Sequence, residues 1–145
     1  MSNLEFWHHH VGVSVPDIEA SIAWYDRVLG FKVVRRLRIE AIPANIAILR
    51  HAAMHVELFQ ADNGKPLPAD RLEPDSDART HGNKHISFAV DDVPHFAEEL
   101  QRRGADIVWM KKHANGANMF IRDNAGNLIE FLQAPREQNF VAELD

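Results

Sequence analysis

The sequence predicts an α+β protein made of two tandem β-α-β-β-β modules, because two segments of the chain resemble each other. HVGVSVPDIEASIAWYDRVLGFKVV, which starts at His10, aligns with HISFAVDDVPHFAEELQRRGADIVW, which starts at His85. The later segments HVELFQA and LIEFLQA also match, and they place Glu57 opposite Glu130. We therefore divide the chain, as one domain with two repeats, into module 1 (6–61), a linker (62–84), module 2 (85–134) and a C-terminal tail (135–145).

The elements follow in the same order in both modules. Each matched histidine opens six residues in which apolar side chains alternate, as in a strand, and an Asp near a proline then precedes an amphipathic helix. The helices are predicted over residues 18–29 and 93–103, and they end at Gly30 and Gly104, where a left-handed cap favours glycine. Turns are predicted at HAAM (51–54) and RDNAGN (122–127). The linker is rich in Pro, Asp and Gly, so we expect no regular element there, although it could cover a site.

Composition narrows the classes of function. The 145 residues are 46% hydrophobic and 26% charged, which is typical of a globular domain with a packed core. The absence of cysteine excludes disulfides, thiolate metal sites and cysteine nucleophiles. A net charge of −5 argues against nucleic acid or a membrane as partner and favours a small molecule. With no apolar run of about 20 residues and no signal-peptide pattern, we expect a cytoplasmic protein.

Four side chains are out of place on apolar strands. Strand alternation puts His10 and His85 on the face opposite the helix-covered core, beside small residues. Glu57 and Glu130 interrupt the apolar runs VELF and IEFL, where a carboxylate is costly unless it is paired or bound to a cation. Imidazole and carboxylate together suit Zn, Fe, Ni, Co or Mn. The two repeats therefore indicate a metal site.

The triplet HHH, residues 8–10, offers more than one candidate ligand. Alternation places His8 and His10 on one face and His9 on the other. Only His10 has a counterpart, His85, at the start of the second repeat. His55 shares a strand face with Glu57, so we expect it to be a neighbour of the site.

The segments HHVGVSVPDIEASIAWYDRVLGF, KHISFAVDD and RDNAGNLIEFLQ together resemble the vicinal oxygen chelate superfamily. That superfamily includes glyoxalase I, methylmalonyl-CoA epimerase, extradiol dioxygenases, and fosfomycin- and bleomycin-resistance proteins. The resemblance implies that the modules form an open, barrel-like mixed sheet around a metal. It implies four ligands, His10, Glu57, His85 and Glu130, and a homodimer, with the site completed within one chain or across two.

The resemblance also bears on the reaction, for which Glu57 is the best discriminator. Glyoxalase I and the epimerases have Glu or Gln at this fourth position, which favours an isomerase, epimerase or glyoxalase-type lyase using Zn, Ni, Co or Mn. Such an enzyme would form a metal-stabilised enediolate from a small hydroxycarbonyl or dicarbonyl substrate. Glu130 is the first choice as catalytic base, with Glu57 returning the proton.

Two alternatives remain open. An extradiol-type dioxygenase would use Fe(II) held by His10, His85 and Glu130. A small-ligand binding protein, of the antibiotic-resistance type, would carry a vestigial metal site.

Overall fold

The computed structural model describes residues 4–134, and its architecture is the predicted α+β fold. Within these residues the helices are α1 (Ile18–Leu29), α2 (Pro74–Asp77) and α3 (Val93–Arg102). The strands are β1 (Val11–Ser14), β2 (Lys32–Ile39), β3 (Ala44–His51), β4 (Met54–Ala61), β5 (Ile86–Val90), β6 (Asp106–His113), β7 (Gly116–Arg122) and β8 (Leu128–Gln133). The described chain forms two compact units, one of residues 4–26 and 30–64 and the other of residues 27–29 and 65–134.

Each unit contains one open, four-stranded mixed sheet. The strand orders are β1-β4-β3-β2 in the first sheet and β5-β8-β7-β6 in the second, so the two sheets have the same topology. In each sheet the first strand pairs in parallel with the last, and the other neighbours are antiparallel. The β-α-β-β-β repeat predicted from the sequence is therefore confirmed as two separate open sheets.

Alternation along the strands separates a core face from a more open face. In β4, Val56 and Leu58 are buried, whereas Glu57 and Phe59 are partly exposed. This division follows from the two-residue period of a strand. The inner strand β7 is buried nearly throughout, as expected between two neighbours.

Both long helices begin with the same pair of caps. The Asp17 side chain accepts a hydrogen bond from the backbone of Ala20, and Asp92 does the same for His95. A glutamine at the end of the last strand adds a second acceptor. Gln60 Oε1 accepts from the backbone N–H of Ile18 at 2.8 Å.

The second unit repeats this arrangement, because Gln133 Oε1 accepts from Val93 N–H at 3.1 Å. The matching glutamines of HVELFQA and LIEFLQA thus tie each last strand to the start of its helix.

At the other end of α1, Gly30 adopts the predicted left-handed conformation with φ of 75°. Gly104 does so with φ of 78°, one residue beyond the cap of α3.

The two predicted turns are present. Asp123 accepts from the backbone N–H groups of Ala125 and Asn127 between β7 and β8, and Gly126 has φ of 89°. Between β3 and β4 the turn includes Ala52 at φ of 51°, a conformation that alanine seldom adopts.

The linker differs from expectation, because it contains a short 3-10 turn (Ala69–Arg71) and the helix α2. Pro74 begins α2, where a missing N–H costs nothing. Asp77 then supplies the tertiary anchor: it is 2% exposed and its carboxylate lies 2.9 Å from Arg71 Nε and 3.3 Å from Lys84 Nζ. A buried ion pair of this kind cannot be inferred from a segment rich in Pro and Gly.

No helix within residues 4–134 is long and apolar enough to cross a membrane. The predicted C-terminal tail, residues 135–145, lies outside the described residues.

Replacing either capping glutamine with alanine should destabilise the protein. Gln60→Ala and Gln133→Ala each remove an acceptor from a helix N-terminus, and each should lower the free energy of unfolding by about 1 kcal/mol. Urea denaturation of the two variants measures this, with Gln101→Ala on the exposed side of α3 as the control. Equal stability of Gln60→Ala and Gln101→Ala would contradict the capping role.

Candidate functional site

In the first unit, His10 and Glu57 form a close pair. His10 lies immediately before β1, and Glu57 lies in β4, the strand that runs parallel to β1. Their closest atoms, His10 Nε2 and Glu57 Oε2, are 3.0 Å apart. The side chains are 36% and 17% exposed, so solvent and small molecules can reach both.

The second unit contains the matching pair. His85 precedes β5, Glu130 lies in the parallel strand β8, and His85 Nε2 is 3.5 Å from Glu130 Oε2. The ring of Phe120 meets the imidazole of His85 edge to face, with centroids 4.7 Å apart. The structure therefore places each predicted ligand beside its partner in the same repeat.

The spacing within each pair fits two ligands of one ion. At metal–ligand bonds of about 2.1 Å, neighbouring donors stand about 3.0 Å apart in an octahedral shell and about 3.4 Å apart in a tetrahedral one. The observed separations of 3.0 and 3.5 Å are close to these values, and 3.0 Å is also the length of a hydrogen-bonded ion pair. Within residues 4–134 no group of three or more His, Asp or Glu side chains is arranged to hold a metal ion. The role of the four residues as ligands stays a prediction.

Glu130 is held by several partners. Ser87 Oγ donates to its Oε2 at 2.7 Å, and Asn118 Nδ2 donates to its Oε1 at 3.1 Å. The side-chain interaction with His85 contributes most to lowering the pKa of Glu130, and the bonds from Ser87 and Asn118 lower it further. Burial acts in the opposite direction, and the pKa falls from an ordinary 4.5 to about 2. The carboxylate therefore stays ionised, as a metal ligand must.

Glu57 has a simpler environment. Among the side chains of residues 4–134, its carboxylate is paired with His10 alone. The strand position beside it is Gly12, which is in register with Glu57 just as Ser87 is with Glu130. An added Cβ at Gly12 would lie 3.1 Å from the ring of Phe59, so a side chain at this position would require that ring to shift by a few tenths of an ångström.

The histidine triplet precedes the first strand, so strand alternation does not fix the faces of residues 8–10. Strand alternation holds only from Val11, where β1 begins, and residues 8–10 lie before it. His9 Nδ1 is 2.6 Å from His10 Nδ1, and its ring stacks on that of His55 with centroids 6.3 Å apart. His9 thus lies beside His10, and His55 lies beside His9.

Sequence reasoning missed Asn118 and His113 as contributors to the site. His113 ends β6, and its Nε2 is 2.8 Å from Asn118 Oδ1. The available signal was a polar asparagine within the apolar run ANMFI, two residues from Phe120 and therefore on its face. At 8% exposure, Asn118 needs partners inside the protein.

The fold and the duplicated His–Glu pairs agree with the family comparison. The family model of the glyoxalase/bleomycin resistance protein/dioxygenase superfamily matches residues 9–122, and the chain belongs to this superfamily. The predicted vicinal oxygen chelate fold is confirmed.

The individual proteins that the chain matches have low sequence identity to it. The chain is 27% identical over 142 residues to a lactoylglutathione lyase of Neisseria meningitidis serogroup A, covering 92% of this chain and 94% of the relative. A glyoxylase/bleomycin resistance protein/dioxygenase domain from Frankia sp. EAN1pec superposes with a TM-score of 0.71 at 21% identity, covering 92% of this chain and all of the other.

A fosfomycin resistance protein from Listeria monocytogenes, crystallised with Mn(II) and sulfate, gives a TM-score of 0.63 at 12% identity, covering 93% and 98% of the two chains. At these identities the structural likenesses show the fold alone.

The low pKa of Glu130 predicts acid sensitivity of the metal-free protein. Because the pKa is about 2 in the folded state and 4.5 ordinarily, Glu130 contributes stability above pH 4.5 that is lost as the pH falls towards 2. Glu130→Gln removes this contribution. The difference in the free energy of unfolding between wild type and this variant should therefore shrink as the pH is lowered from 4.5 to 2. Urea denaturation in the presence of a chelator measures it.

Glu98→Gln, an exposed glutamate of α3, provides the control, and it should follow the wild-type pH dependence. A constant difference between wild type and Glu130→Gln down to pH 2 would contradict the assignment.

Proposed function

We propose that the protein is a metal-dependent enzyme of the isomerase, epimerase or glyoxalase-type lyase class, acting on a small hydroxycarbonyl or dicarbonyl substrate. His10, Glu57, His85 and Glu130 serve as ligands of a divalent ion such as Zn, Ni, Co or Mn. The observation that carries the proposal is the recurrence of one His–Glu pair at the same place in both repeats. The name of the Neisseria relative, lactoylglutathione lyase, supports the lyase class. The Mn(II) bound in the Listeria structure supports a divalent ion.

The donor set fits a divalent ion of the first transition series. Two imidazole nitrogens and two carboxylates match the preferences of these ions, and no cysteine is available for softer ones. When bound, such an ion supplies Lewis-acid stabilisation of the negative charge that develops on vicinal oxygens of the substrate.

The chain itself must move a proton. The C–H bond α to the carbonyl breaks, its electron pair forms the C=C bond of an enediolate, and a carboxylate oxygen takes the proton. The environments of the two glutamates favour Glu57 for this step. Glu130 accepts a hydrogen bond on each carboxylate oxygen, whereas Glu57 is paired with His10 alone among the described side chains. Glu57, rather than the Glu130 expected from the sequence, is therefore freer to approach the substrate and take the proton. Return of the proton to the neighbouring carbon completes an isomerisation, whereas epimerisation requires a second acid that protonates the opposite face of the original carbon.

Glu57→Gln tests the proton transfer. The amide oxygen of Gln can still bind a metal but cannot accept the proton, so metal content should persist while turnover falls by about 10²- to 10⁴-fold. Proton NMR in D₂O with a panel of 2-hydroxycarbonyl and 1,2-dicarbonyl compounds, including S-lactoylglutathione, follows exchange of the α-proton whichever product forms. Glu98→Gln is the matched control and should keep wild-type exchange. Unchanged exchange in Glu57→Gln would remove Glu57 from the proton transfer.

Metal analysis of the purified protein tests the class. Zn, Ni, Co or Mn at about one ion per chain, without oxygen consumption, is the expected result. Iron together with oxygen consumption would replace the proposal by a dioxygenase, and a protein that binds no metal would replace it by a binding protein. Size-exclusion chromatography with light scattering tests the homodimer that the resemblance implies.

A further inference from the structure

The carboxylate of Glu130 receives a separate donor on each oxygen. Ser87 donates to Oε2 from the neighbouring strand β5, and Asn118 donates to Oε1 from the neighbouring strand β7. Glu130 therefore sits between two strands that both supply a hydrogen bond. Two donors on opposite sides restrict rotation of the carboxylate about its terminal bond, which is otherwise broad.

The Asn118 amide is itself oriented. His113 Nε2 lies 2.8 Å from Asn118 Oδ1, and an amide oxygen can only accept, so the ring nitrogen donates. This bond turns the NH₂ group of Asn118 towards Glu130. The result is a chain of donors from His113 through Asn118 to the carboxylate.

The first unit lacks this chain at the equivalent positions. Gly12 is in register with Glu57, as Ser87 is with Glu130. Ile46 of β3 occupies the place of Asn118, because Ile46 pairs with the residue two beyond Glu57 and Asn118 pairs with the residue two beyond Glu130. Neither glycine nor isoleucine has a side-chain donor. The donors are thus present in only one of the two repeats, at these positions.

We propose that Ser87 and Asn118, with His113 behind Asn118, are positioning residues that hold the Glu130 carboxylate in the orientation in which it binds the divalent ion. The inference rests on the proposed function, since it assumes that Glu130 is a ligand. Hydrogen-bond partners that orient a ligand generally raise metal affinity without touching the metal. The unit that lacks them leaves Glu57 freer to change its orientation.

Metal affinity tests the positioning role directly. Chelator-treated protein is titrated with Mn²⁺ and, separately, with Zn²⁺ by calorimetry, and the thermal unfolding of each metal-free variant is recorded alongside. Ser87→Ala and Asn118→Ala should each weaken binding by about 10- to 100-fold. Ser87→Thr keeps the hydroxyl and should restore most of the affinity, which a purely structural role would not predict.

Ser14→Ala is the matched control. Ser14 is exposed in β1, and alanine is the residue that the second repeat carries at the equivalent position, Ala89. Its metal affinity should equal that of wild type. Ser87 is likewise exposed, so Ser87→Ala should lower thermal stability only slightly and remain informative even if Asn118→Ala unfolds.

A double-mutant cycle tests the contribution of His113. His113→Ala should weaken binding less than Asn118→Ala, and the double variant should match Asn118→Ala, because His113 acts through Asn118. If the losses of metal-binding free energy in the two single variants instead add in the double variant, His113 acts independently of Asn118. That result would overturn the role of His113.

Glu130→Ala, which removes the ligand oxygens, separates failure of the positioning role from failure of the proposed function. If Glu130→Ala weakens metal binding but Ser87→Ala and Asn118→Ala do not, the positioning role is wrong and the proposed function stands. If Glu130→Ala binds metal as wild type does, or if wild type binds none, both are overturned.

Discussion

The parallel pairing of the first and last strands within each unit is the constraint on which the candidate site depends. Strands that are distant in sequence become neighbours only because two antiparallel strands and a helix lie between them along the chain. This pairing brings a histidine at the entrance of one strand next to a glutamate in the middle of the other. The register is the same in both units. Because side chains alternate between the two faces of a strand, a shift by one residue would turn the glutamate into the core.

The two units have the same strand topology, but the matching glutamates have different hydrogen-bond partners. In the second unit, His85 and the donors from two flanking strands lower the pKa of the carboxylate, which therefore stays ionised. In the first unit, the equivalent positions carry glycine and isoleucine, and Phe59 fills the space beside the glycine. Equivalent positions of two repeats with the same topology can thus hold carboxylates that have different numbers of hydrogen-bond partners.

Much of this fold could be predicted from the sequence because its signals are local and repeated. The limits of α1, the caps at Asp17 and Asp92, and the RDNAGN turn depend on neighbouring residues, and the structure has them as predicted. Strand alternation predicted that His10 and His85 face away from the core, whereas the contact of each with the glutamate of its own repeat is seen only in the structure, and the metal stays a prediction.

The rest required tertiary information. Helix α2 depends on the burial of Asp77 between Arg71 and Lys84, and no local pattern encodes that burial. The side on which His9 lies follows from its stacking on His55 rather than from strand geometry. The role of Asn118 emerges only when β7 is placed beside β8.

The glutamine caps have a consequence for how a charged substrate can be recognised. The start of a helix commonly binds phosphate or carboxylate groups through its free N–H donors and its positive dipole end. Here the first donors of α1 and α3 are already satisfied by Asp and Gln side chains, and the aspartates add negative charge at the same ends. Anionic groups of a substrate must therefore find their counter-charges elsewhere, on the sheet face that carries the histidines or in the loops beside it.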